Sequence, residues 1–166
     1  MSYDGREIAN FVLDFCDARN RKVSHLSLQK IVYFCHACFL AEFRKPLVRH
    51  AFEAWEFGPV LQYLYHEFKA FERSPITTRA KKINIQTGAK EKVVYHFDEQ
   101  TRNFLTNVIN FYSQLTPTQL VEISHMKGGP WDKVWNHKGQ INPGMKIEDR
   151  EIMRYYSQLQ ETNMVQ

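Results

Sequence analysis

Residues 24–43, reading SHLSLQKIVYFCHACFLAEF, form the stretch that most limits what this chain can fold into. Leu28, Ile31, Val32, Cys35 and Phe39 recur at the i, i+3, i+4 spacing of one helical face. Phe34, Ala37, Leu40 and Ala41 fill a second face, which leaves Gln29, Lys30, His36 and Glu42 to reach water. A helix that is apolar on nearly every side needs other elements to cover it, so the spacing predicts a buried central helix. Ser24 offers a side-chain oxygen to the free N–H groups of the first turn. Lys45-Pro46 closes the helix, because proline disfavours helical geometry in the residue before it. The stretch is too short, and too interrupted by Gln, Lys and His, to cross a membrane.

With 166 residues, 43% of them hydrophobic, the chain can cover such a helix within a single domain, 1–166. Twelve Phe, eight Tyr and three Trp fill a core and leave aromatics for a binding surface. The opening MSYDGREIAN lacks the basic-then-apolar start of a signal peptide. Three cysteines, two of them inside the central helix, do not make a disulfide framework. The expectation is a reduced, cytoplasmic protein. A net charge of +4 permits an acidic or nucleic-acid partner without requiring one.

The rest of the chain reads as mainly α: a compact helical bundle around the central helix, with a small β-hairpin. Ile8, Phe11, Val12, Phe15 and Cys16 share one face of a helix over 5–19 with Asp4 as cap. AFEAWEFGPV follows as an extended segment with a Gly58-Pro59 corner, and Pro59 suits the first position of a helix over 59–72. KINI and KVVYHF flank a turn at 86–89 as a short hairpin within the basic run 79–92. Asp98 and Thr116-Pro117 start helices over 98–115 and 117–127. Pro130-Trp131 opens a short turn to Trp135, 136–146 is a polar loop with Gly139, Pro143 and Gly144, and a last helix spans 148–160.

Few residues ask for chemistry. Cys35 and Cys38 have CxxC spacing but sit mid-helix on an apolar face, where a redox pair would open a helix after a strand. No second ligand pair follows for zinc, so they read as small buried side chains. The seven histidines show no metal spacing, and no phosphate loop or nucleophile motif occurs. No catalytic residue, metal or cofactor is expected. The basic run 79–92, with Tyr95 and Phe97 nearby, could contact nucleic-acid phosphates or be a solvated hairpin whose lysines discourage edge pairing. Trp55 and Phe57 either pack on the central helix or anchor a partner at the Gly-Pro corner. The residues alone leave both readings open.

Three blocks then carry a resemblance. They are Leu28-Gln29-Lys30-Ile31-Val32-Tyr33, Phe52-Glu53-Ala54-Trp55-Glu56-Phe57-Gly58-Pro59-Val60 with Tyr65 downstream, and His125 with Pro130-Trp131. In order and spacing they resemble the Panacea antitoxin domain, the SocA-like family that includes phage-associated GepA-like proteins. The likeness runs from about residue 5 to 160, departing at Phe57, where tyrosine is frequent, and at Ser24, where threonine usually caps. The resemblance implies a non-enzymatic antitoxin that binds and neutralises a cognate toxin protein encoded nearby. Nucleic acid and membrane are not the expected partners. Two other readings are a nucleic-acid-binding regulator using the 79–92 hairpin and an adaptor that delivers a bound partner to a protease.

Within these blocks Trp55 and Phe57, two apart in an extended segment, share a face for the partner, joined by Tyr63 and Glu67 on the next helix. Gln29, Lys30, Tyr33, Glu53, Gly58, Pro59, His125, Pro130 and Trp131 are expected to be structural. Lys30 and Glu53 are expected to face one another, because a charge in apolar surroundings needs a partner.

Overall fold

The computed structural model describes residues 2–137 and 143–165, apart from the side chains of 143 and 163–165. Of the loop expected at 136–146, residues 138–142, with Gly139, lie outside the described residues. Helix α1 (Gly5–Asp17) begins in a capping box, the Asp4 carboxylate accepting from the Arg6 N–H and Glu7 accepting from the Asp4 N–H. Helix α2 (His25–Phe43) is the central helix, started by Ser24 Oγ accepting from the Ser27 N–H. It ends at Arg44, a left-handed residue whose N–H reaches Leu40 O. Helices α3 (Gln62–Phe68), α4 (Glu99–Tyr112), α5 (Pro117–Ser124), α6 (Pro130–Trp135) and α7 (Asp149–Val165) follow. Asp98 and Thr116 cap α4 and α5 as the sequence predicts. Helices α1, α3, α4, α5 and α7 all pack on α2, whose apolar residues are buried on both faces. The fold is mainly α with small antiparallel sheets.

The polar residues of α2 overturn one expectation. Gln29, Lys30 and His36 do not face water; all three are buried, and only Glu42 is exposed. Each holds a main-chain group that packing would otherwise strand. Gln29 clasps Leu61 twice, accepting from its N–H at 3.0 Å and donating to its carbonyl at 3.1 Å. Lys30 Nζ donates to Pro59 O at 3.0 Å. His36 Nδ1 accepts from the Val48 N–H at 3.1 Å, which leaves Nε2 to donate to Asp149 at 2.8 Å.

Two small sheets complete the fold: β1 (Phe52–Trp55) and β2 (Gly58–Val60) with β5 (Lys146–Ile147) in the order β2-β1-β5, and the pair β3 (Lys81–Ile83) and β4 (Lys90–Lys92). The segment expected to run from an extended stretch through a corner into a helix at Pro59 is instead a hairpin, with Glu53 opposite Val60 and Trp55 opposite Gly58. Pro59 lies in the edge strand, where a missing N–H costs little in the ladder. Gly58 takes φ +116°, a conformation that side chains rarely adopt. The following helix therefore starts only at Gln62 and stops at Phe68, with one 3-10 turn to Phe71.

The second hairpin is also shorter than predicted. Its ladder ends where buried Asn10 of α1 takes over, Nδ2 donating to Ala80 O and Val93 O and Oδ1 accepting from the Ala80 N–H at 2.7 Å. Past Val93 the chain leaves the ladder. Tyr95 and Phe97 stack on each other and meet Phe11 edge-on.

Candidate functional site

The three blocks singled out by the sequence meet at Lys30. Gly58 of β2 lies so close that a Cβ there would fall 2.5 Å from Lys30 Cε and 2.7 Å from Ser124 Oγ. That contact brings the end of α5 onto the hairpin. The neighbouring His125 stacks flat on Trp131 of α6, with ring centroids 3.6 Å apart and planes 6° apart. Trp131 Nε1 in turn donates to Trp55 O at 2.7 Å. Pro130, at the first turn of α6, is buried beside it, and Tyr33 sits one turn along α2 from Lys30, edge-on to Phe52. Glu53 does not pair with Lys30. It accepts from Trp55 Nε1 at 2.8 Å, so the only hydrogen bond given to the Lys30 ammonium among the described residues goes to the Pro59 carbonyl.

Above Lys30 lies a groove of about 360 Å³. One wall is the stripe of α2 carrying His25 and Gln29, and the other is the hairpin with Trp55 and Phe57. Tyr65 of α3 closes the end, its ring 4.9 Å from Trp55 and 5.0 Å from His25. Phe57, in the two-residue turn of the hairpin, is 58% exposed. It is an apolar ring held in water by a rigid support.

Two basic residues, His25 and Lys30, and one acidic residue, Glu56, line this groove. Burial pulls the Lys30 pKa down to about 7. Burial lowers His25 and His125 as well, and the nearby Lys30 charge lowers both further. Buried His25 Nδ1 and His125 Nε2 have no hydrogen-bond partner among the described residues.

Trp55 and Phe57 thus line one groove, but Tyr63 and Glu67 do not. The Tyr63 hydroxyl accepts from the Gly5 N–H at 3.0 Å, and its ring lies under the Arg6 guanidinium at 4.5 Å. Glu67 accepts from the Lys81 N–H at 3.1 Å. Both tie α3 to neighbouring elements on its other sides. Sequence reading passed over His25, although His25 and Gln29, four apart on α2, share one helical face that could have drawn attention.

Elsewhere, Lys81, Lys82, Lys90 and Lys92 are exposed on the second hairpin. Arg79 is held by Asp14 at 2.7 Å and by Asp17. Tyr95 donates its hydroxyl to Asp14. The two aromatics near the basic run are therefore engaged within the fold. Cys35 is buried in the core, and burial pushes the Cys38 thiol up to about 11.

The comparisons follow this geometry. The family model described as "Antitoxin SocA-like, Panacea domain" matches residues 28–132, from the Lys30 block to just past Trp131. "Antitoxin SocA" of Caulobacter vibrioides (strain NA1000 / CB15N) is 38% identical over 152 residues, 91% of this chain and 81% of that protein. No solved structure matches. With a matching family model over most of its length and that level of identity to a member, the chain belongs to the SocA-like antitoxin family defined by the Panacea domain.

Proposed function

We propose that this protein is the antitoxin of a toxin–antitoxin system and neutralises its toxin by direct, non-enzymatic contact in the cytoplasm. The groove between α2 and the β1–β2 hairpin is the contact surface. The observation that carries this reading is Phe57, an aromatic ring left in water at the tip of a hairpin whose base is fixed by Lys30, Trp131 and Gly58. Exposed aromatics on rigid supports make strong interface anchors, because little conformational freedom is lost when a partner covers them. Family membership supplies the kind of partner, a cognate toxin. The engagement of Arg79, Tyr95 and Phe97 within the fold favours this groove over the basic hairpin as the functional surface.

Stoichiometry tests the reading. Purified protein titrated into the product of the adjacent toxin gene should remove its activity at about one antitoxin per toxin, the two then eluting as one complex. Loss of toxicity at a small catalytic fraction would replace the contact mechanism with an enzymatic one.

A further inference from the structure

A second cavity, of about 230 Å³, opens where the start of α2 meets the loop after α3 and the connection from α4 to α5. Its walls are tied together. The Ile76 N–H donates to Val23 O at 2.9 Å and holds the loop against α2. Arg21 donates to Asn110 Oδ1 at 2.9 Å and to Ser113 Oγ at 3.0 Å and holds the end of α4. Lys22 and Arg73 also line the cavity, and both are exposed cations with neither an ion pair nor a side-chain hydrogen bond among the described residues. Ser27 lines it from within. That residue is only 7% exposed, and its hydroxyl has no hydrogen-bond partner among the described residues. A buried hydroxyl that opens on a cavity without a partner marks a place for one. Ser24 Oγ accepts from the Ser27 N–H, which leaves its own O–H to donate. No acidic residue lines the cavity, and none lies in the first turn of α2, whose N-terminus adds positive partial charge. Val23, Ile31 and Leu115 supply an apolar wall.

We propose that this cavity binds the phosphate group of a phosphomonoester, with Lys22 and Arg73 closing on its charged oxygens and the Ser24 and Ser27 hydroxyls donating to them from within. A monoester carries about −1.5 to −2 charge at neutral pH and three acceptor oxygens, which matches two cations and several converging donors. A carboxylate, with a single charge and two oxygens, would leave one cation unmatched. The cavity is smaller than the roughly 300–1,000 Å³ of a drug-sized pocket, so it takes the phosphate and the first carbons of the ester, which the apolar wall covers, and leaves the rest of the ligand outside. The site is separate from the toxin-contact groove: on α2, His25 and Gln29 line the groove, whereas Ser24, Ser27 and Ile31 line the cavity. A bound ester would join three elements and stabilise the folded chain by linkage.

NMR titration of the whole chain at constant ionic strength tests this with adenosine monophosphate, acetyl-phosphoserine-amide, the unphosphorylated counterpart of each, and acetate. At least one phosphate ester should bind saturably and shift the amides of Lys22, Ser24, Ser27 and Arg73. The tighter of the two tells whether the ester is a nucleotide or a phosphorylated side chain. Lys22→Ala and Arg73→Ala, exposed substitutions that keep the fold, should each weaken that binding roughly tenfold. Binding of neither ester, or shifts confined to other parts of the chain, would overturn the proposal. Equal binding by the unphosphorylated counterparts or by acetate would overturn the choice of phosphate. Undiminished binding in the chain carrying both substitutions would overturn the assignment of the site.

Discussion

Lys30 is the residue whose environment has the clearest measurable consequence. In the folded chain its pKa is pulled to about 7, against 10.5 for an ordinary lysine. Between those values the unfolded chain binds the extra proton, so stability rises with pH. The facing groups act in other ranges. His25 and His125, both lowered, add to the rise only around and below 6.5. Asp132 is lowered within the carboxylate range. Cys35, Cys38 and Tyr33 are raised, so they remove stability as pH climbs past their unfolded values near 9 and 10. From pH 7 to about 8 the slope therefore belongs mainly to Lys30, at up to about 1.4 kcal/mol per pH unit. Urea unfolding across this window should show the rise in the unaltered protein. It should be nearly flat in Lys30→Met, which keeps the length of the side chain and removes its charge.

At the scale of the element, the two hairpins make opposite predictions. The β1–β2 hairpin is braced from beneath and presents Phe57 outward. Phe57→Ala should change stability by no more than about 0.5 kcal/mol, as an exposed substitution does, yet lose rescue of toxin-expressing cells. Trp55→Ala should lose rescue and also about 2–4 kcal/mol, because its half-buried ring packs on Tyr65 and its indole binds Glu53. Circular dichroism separates the two effects, and an active, folded Phe57→Ala would remove the groove from the interface. The base of the β3–β4 hairpin is instead held by the buried side chain of Asn10. Asn10→Ala strands the buried main-chain groups of Ala80 and Val93, at a cost of roughly 2–3 kcal/mol. Hydrogen exchange should quicken at Ala80 and leave α2 near its original protection, because the hairpin can open with the core intact.

In the molecule as a whole, α2 is the shared surface of five helices and of strand β2, so little can unfold without exposing it. Far-ultraviolet circular dichroism and tryptophan fluorescence should therefore report one coincident thermal transition. Two separated transitions would divide the chain into independent units. The same centrality explains what could be read in advance. Periodicity and capping are local, and Ser24, Asp4, Asp98 and Thr116 cap the helices that their spacing predicts. An apolar face repeated around α2 already required a buried helix. The partners of the buried polar groups were not local information. Gln29, Lys30 and His36 read as water-facing because polar side chains usually are, and only the arrival of Leu61, Pro59, Val48 and Asp149 from distant parts of the chain accounts for their burial. Glu53 was given to Lys30 on charge alone, whereas it accepts from the indole two residues away. Local pattern was enough for the central helix, for the side-chain caps of α1, α2, α4 and α5 and for the three blocks, but not for the strand at Pro59. The tertiary structure decided which groups within those blocks pair, because hydrogen bonds between distant segments depend on how the helices pack around α2, a property that no local pattern encodes.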